Sequence, residues 1–121
     1  MEIAYVNVFV SDLKQAVEFY ESRLGLTLEH STEEHGYASF RAGDIHLGLA
    51  VAGAGQSELV GQHTGIGFAV DDLETEHARL SELGVSFSEP PTRQPWGGFM
   101  ALMTDPDGNA YYLDEVAAAH G

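Results

Sequence analysis

Six histidines, five tyrosines, one tryptophan and 19 carboxylates carry most of the chemistry open to this 121-residue chain. There is no cysteine, which excludes disulfides, thiolate nucleophiles and zinc–thiolate sites. Imidazole is then the side chain best suited to proton transfer near neutral pH. His46, within Asp44-Ile45-His46-Leu47-Gly48-Leu49, is the candidate general base or polar anchor for a ligand. The plainer alternative is a rim histidine donating to a backbone carbonyl. His30 and His35 fall in or near a turn, His77 on a helix, and His120 in a C-terminal tail. Trp96 lies in Pro95-Trp96-Gly97-Gly98, ahead of a strand. There it can close over a cavity and stack on a ligand, or simply anchor its loop. Arg93 nearby can meet an anionic group or face solvent.

Charge narrows the partners. Five Lys+Arg against 19 Asp+Glu give a formal net charge of −14. Such a surface repels the phosphates of nucleic acid and of anionic lipid, and it raises the local concentration of cations. A cationic small molecule therefore suits the chain better than nucleic acid or membrane. The other reading is that Glu18 and Glu21, and Glu74, Glu76 and Glu82, are solvated helix faces. No apolar run approaches the roughly 18–20 residues of a membrane span, and Met1-Glu2-Ile3-Ala4-Tyr5 lacks a basic segment followed by an apolar one. A cytoplasmic location is expected.

The elements that must position these residues come as a repeat. Val8-Phe9-Val10-Ser11-Asp12-Leu13 matches Phe68-Ala69-Val70-Asp71-Asp72-Leu73 at an offset of 60, and Leu24-Gly25-Leu26 matches Leu83-Gly84-Val85 with one residue deleted. Each copy opens with a strand-like run and an acidic helix cap, Asp12 or Asp72. Gln15 and Glu74 stand three residues after Asp12 and Asp71, as capping-box partners do. Leu13, Ala16, Val17, Tyr20 and Leu24 recur at helical spacing in the first copy, as do Leu73, Leu80 and Leu83 in the second. Both helices stop at Leu-Gly. Strands are predicted at 27–30, 37–41 and 45–51, then at 85–89, 99–104 and 110–115. Asp105-Pro106-Asp107-Gly108 turns the second hairpin. The result is a single α+β domain, residues 1–121, of paired βαβββ modules. Module 1 covers 1–51, a linker 52–62, module 2 63–116 and a tail 117–121. A lone unit leaves a sheet face bare, so the pair is expected to form a curved mixed sheet around a cleft with helices outside.

The paired βαβββ pattern, the strand–Val-x-Asp-Leu–helix openings and Asp105-Pro106-Asp107-Gly108-Asn109 resemble the glyoxalase/bleomycin-resistance/dioxygenase (vicinal oxygen chelate) superfamily, over about residues 3 to 116. Metal-using members hold a divalent ion through His or Gln early in each module and Glu late in each. The resemblance places those positions at Tyr5, Gly48, Gly65 and Tyr112. Two glycines offer no side chain, and neutral tyrosine is a poor ligand for zinc, nickel or magnesium. The expectation is a protein without metal or other cofactor.

Strand alternation sets Ile3, Asn7 and Phe9 beside Tyr5, His46 beside Gly48, His63 and Gly67 beside Gly65, and Asp114 beside Tyr112. Tyr5, Asn7, His46, Gly48, Gly65, Trp96 and Tyr112 would then line a cleft, with the glycines making room for a flat, partly aromatic ligand. Similarity to the bleomycin-resistance branch implies sequestration of a drug-like molecule and a homodimer. Two alternatives stay open. One is a lyase- or isomerase-type enzyme with His46 as base and Tyr5 or Tyr112 as acid, or with a metal relocated to His46, His63 and Asp114. The other is a fold acting only through its dimer surface.

Overall fold

A computed structural model of the chain describes residues 1–116; the expected tail, with His120, lies outside the described residues. Two compact units are present. The first comprises Met1–Gln62 with Pro106–Asn109, and the second begins at His63 and takes up the remainder.

In the first unit, β1 (Val6–Val10), β2 (Thr27–Thr32), β3 (Tyr37–Ala42) and β4 (Ile45–Val51) form a mixed sheet in the order β1-β4-β3-β2. β1 runs parallel to β4, and the other neighbours are antiparallel. Helix α1 (Leu13–Glu18) starts at Asp12, whose carboxylate accepts from Gln15 N at 2.9 Å. It then widens into a π-helical turn over Phe19–Arg23, where Arg23 reaches Glu18 five residues back. Gly25, at φ 77°, ends the helix as the sequence predicts. One sheet face buries Val8, Val10, Ala38, Phe40, Leu47 and Leu49, together with Leu13, Ala16, Phe19 and Tyr20 of the helical segment. Tyr20 packs between the rings of Phe19 and Phe40, at 5.4 and 6.0 Å. Burial of each large apolar side chain contributes roughly 1.5–3 kcal/mol.

The second unit repeats the plan. β5 (His63–Val70), β6 (Ser86–Arg93), β7 (Phe99–Thr104) and β8 (Ala110–Glu115) take the order β5-β8-β7-β6. Helix α2 (Leu73–Glu82) is capped by Asp72, which accepts from Thr75 N at 3.1 Å. The cap pair is therefore Asp72 and Thr75 rather than Asp71 and Glu74. Leu73, Leu80, Val85, Ala101, Met103, Tyr111 and Leu113 form the buried layer. The β-structure is thus two four-stranded sheets, one per module, in an α+β fold.

Two strands depart from expectation. β6 runs on through Pro90 and Pro91 instead of stopping at Glu89. It is an edge strand, where proline's missing N–H costs no ladder bond. β2 carries a register shift between Leu28 and His30, and β6 carries two, between Phe87 and Glu89 and between Glu89 and Thr92. The two copies therefore share a bulge, centred on Glu29 in the first unit and Ser88 in the second.

The Asp105–Asn109 turn does more than reverse the chain. Asn109 is 1% exposed and accepts from Gly61 N and Gln62 N at 2.9 and 3.1 Å, while donating to Phe9 O at 2.9 Å. Asp107 accepts from both the backbone N–H and the hydroxyl of Ser11. Pro106–Asn109 belongs to the first unit through these bonds.

Candidate functional site

In each unit the helix and the buried alternate residues occupy one face of the sheet. In the first unit the opposite face carries most of the polar side chains. Because the period of a strand is two, Asn7 and Phe9 on β1, Tyr37, Ser39 and Arg41 on β3, and His46 and Gly48 on β4 share that face in the first unit. Asn7 pairs in register with Gly48, which pairs with Ser39. Tyr5 precedes β1, is 60% exposed and lies outside the ladder, as does Ile3.

Gly48 does not leave room for a ligand. The Tyr37 hydroxyl donates to Asn7 Oδ1 at 3.1 Å directly over it. A Cβ built on Gly48 would clash with both oxygens and would lie 2.9 Å from Tyr37 Cζ. The glycine exists to seat the Asn7–Tyr37 hydrogen bond, which corrects the expectation that it opens the pocket.

Among the described residues His46 meets no backbone carbonyl. Its Nδ1 lies 2.7 Å from Glu29 Oε1, and the other oxygen of Glu29 accepts from Arg41 Nε at 3.2 Å. The hydrogen bond from His46 holds the Glu29 carboxyl below its ordinary range, with the charges of His46 and Arg41 adding to the effect. An ionised carboxylate only accepts, so Nδ1 carries the proton and the Nε2 of a neutral imidazole is left as the acceptor. Strand alternation had no means of finding Glu29, because the bulge at that residue aims its side chain across to β4.

In the second unit Gly65 interrupts β5. Its φ is +74°, and the pairing with β8 shifts between His63 and Gly67. Thr64 Oγ1 donates to Ala110 O and accepts from Ile66 N, while Gly65 N donates to His63 Nδ1, so the bulge is held on both sides. The residue in register with Tyr112 is Gly67, and the Tyr112 ring lies 5.0 Å from that of His63.

Trp96 gathers a different set. A cavity of about 540 Å³ is lined by Arg93, Trp96, Phe99, Asp114, Glu115 and Val116, among others. Tyr112 does not line it; of the β8 residues, Asp114 and Glu115 do. Trp96 is 72% exposed, and its indole Nε1 lies over Gly98, where an added Cβ would come within 2.8 Å. The loop is a closed turn, with Gln94 N donating to Gly98 O at 2.7 Å and Gly97 N to Gln94 O at 2.9 Å. The indole is therefore presented by a pinned hairpin turn. Arg93 stacks on Phe99, its guanidinium carbon 4.6 Å from the ring centroid. Phe99 lines the cavity together with Trp96.

The model of the glyoxalase/bleomycin resistance protein/dioxygenase superfamily matches residues 2–111. The chain belongs to that superfamily. It is 29% identical over 120 residues to the uncharacterized protein YraH of Bacillus subtilis (strain 168), covering 90% of this chain and 94% of that one. A crystal structure of a superfamily member from Sphaerobacter thermophilus DSM 20745 superposes with a TM-score of 0.83 at 25% identity, covering 96% of this chain and 98% of that one. TnmS3, an antibiotic binding protein from Streptomyces sp. CB03234, gives a TM-score of 0.79 at 28% identity and 97% coverage of both chains.

The four positions at which the resemblance implies a divalent metal do not fit one here. Gly48 is covered by Asn7 and Tyr37, and Gly65 occupies a left-handed bulge with nothing near its added Cβ. Among the described residues no three His, Asp or Glu side chains group to hold a metal ion, so His46, His63 and Asp114 do not form the relocated set. No helix there is long and apolar enough to cross a membrane.

Proposed function

We propose that this superfamily member binds a flat, cationic, drug-like organic molecule in the Trp96 cavity, without a metal. The observation that carries this reading is an exposed indole on a closed turn beside the carboxylates of Asp114 and Glu115. An indole face attracts a cation by about 0.5–1 kcal/mol at an exposed site, and ring stacking adds about 0.5–1.5 kcal/mol. The two carboxylates supply opposite charge, and the net charge of −14 steers cations toward the protein. Arg93 is held on Phe99, which keeps its charge on one wall of the cavity. The likeness to an antibiotic binding protein agrees with this ligand class. A homodimer is part of the same proposal and is read from sedimentation.

Trp96 is the only tryptophan, so its fluorescence reports the site directly. Titration with berberine, a planar cation, is expected to quench it saturably, with affinity falling as salt is added. Trp96→Ala, followed by the dye's own fluorescence, and the double variant Asp114→Asn/Glu115→Gln are each expected to weaken binding by about tenfold. Equal binding of the planar anion 1-anilinonaphthalene-8-sulfonate, or no saturable quenching, rejects the reading.

A further inference from the structure

The open face of the first sheet holds a second constellation that the cation reading does not use. Glu29 bridges His46 and Arg41, accepting from one at each oxygen. His46 Nε2 and the terminal nitrogens of Arg41 make no further hydrogen bond among the described residues. The His46 side chain is 44% exposed and that of Arg41 is 49% exposed, so both free ends are accessible. The charges of Arg41 and Glu29 cancel, so the cluster carries no net charge when the imidazole is neutral. Such a cluster can take up a weak acid together with its proton and stay electrically balanced. Phe9 and Tyr37 share the face, both in register with Ala50 four residues along the strands, and the Tyr37 hydroxyl reaches back over Gly48 toward the cluster.

We propose that His46, oriented by Glu29, and Arg41 form a binding site for a phenolic or enolic hydroxyl. On binding, the ligand O–H bond breaks, its electron pair stays on oxygen, and the proton bonds to His46 Nε2. The resulting oxyanion lies between the imidazolium and the Arg41 guanidinium, two charge-assisted partners. Glu29 acts as a positioning residue: its carboxylate fixes the proton on Nδ1 and stabilises the imidazolium. This site lies in the first unit and shares no residue with the lining of the Trp96 cavity.

The probe is 4-nitrophenol, whose phenolate absorbs at longer wavelength than the neutral phenol. Below the probe's own pKa, the protein is expected to generate the phenolate band saturably, while 4-nitroanisole, which has no acidic proton, produces no binding. His46→Gln and Glu29→Gln are each expected to weaken binding at least about tenfold, since each removes a charge-assisted partner. Glu29→Gln places an amide that can donate to Nδ1, so nitrogen NMR of His46 should show the tautomer reversed. That readout does not move if Glu29 only supports the fold. Trp96→Ala is expected to leave 4-nitrophenol binding within about twofold, because sites with no shared residues act additively. Binding of 4-nitroanisole as tight as that of the phenol, unchanged affinity in His46→Gln, loss confined to Trp96→Ala, or the absence of a saturable phenolate band would each overturn the proposal.

Discussion

Replacing Gly48 with alanine isolates the feature that most distinguishes the first unit's open face. The added methyl would enter the space shared by Asn7 Oδ1 and the Tyr37 hydroxyl and would stand 2.9 Å from Tyr37 Cζ. Gly48 has no left-handed backbone, so strain is not involved, and alanine alone would gain about 0.5–1 kcal/mol over glycine in a strand. Against that gain stand overpacking, at about 1–3 kcal/mol, and loss of the Asn7–Tyr37 hydrogen bond, at about 0.5–1.5 kcal/mol. The net expectation is a loss of about 0.5–4 kcal/mol, measured by urea denaturation. At this chain length each kcal/mol lowers Tm by about 3–5 °C. Tyr37→Phe tests the cause, because it removes the hydroxyl and frees the ring to pivot. In that background the cost of Gly48→Ala should fall by about 1 kcal/mol, a coupling expected of groups in contact. If Gly48→Ala is as stable as the parent, or costs the same with Phe at position 37, the steric argument is wrong.

Asn109→Ala removes an acceptor from the N–H groups of Gly61 and Gln62 and a donor from Phe9 O, all at a residue 1% exposed. Leaving these partners unsatisfied should cost about 2–4 kcal/mol in denaturant, far more than an ordinary turn substitution. On α2, Arg79 holds Glu76 through two hydrogen bonds at 2.8 and 2.9 Å. That contact depresses the Glu76 carboxyl below its ordinary 4.5 and raises Arg79. A depressed carboxyl contributes stability above its unfolded value and loses it as pH falls through the folded one. The penalty of Glu76→Gln, about 0.3–0.5 kcal/mol for a partly exposed helical pair, should therefore be present at neutral pH and vanish as pH drops below 4.5 in thermal melts.

How much of this was legible in the sequence follows from the range of each interaction. The limits of β4, β7 and β8, the Asp12 and Asp72 caps and the Leu-Gly stops at Gly25 and Gly84 are local, and they stand as the residues predict. Alternation also put His46 and Asn7 on Gly48's face. It failed where the pleat is broken. Glu29 reaches His46, 17 residues away, from a bulge that no period-two pattern registers. Gly65 is likewise a bulge residue, so side chains on either side of it cannot be assigned to a face by counting. Asn109 looks like the end of a turn because its partners are 47 to 100 residues distant. Trp96 was found as an isolated aromatic. That Asp114 joins it, and Tyr112 does not, depends on where the cavity ends along β8.

The two glycines at implied metal positions are fixed for different physical reasons, which bears on how the site is built. At Gly48 the obstacle is occupancy: a side chain there must first displace a hydrogen-bonded tyrosine and asparagine. At Gly65 there is open space, but φ is +74°, a conformation costing a non-glycine residue roughly 1–2 kcal/mol. A Glu at one position and a His at the other would thus each require rebuilding of the neighbouring backbone or side chains. In their place the first unit directs an imidazole, a carboxylate and a guanidinium outward, and the second an indole beside two carboxylates. On the proposed reading these groups recognise organic ions by hydrogen bonds, charge and stacking.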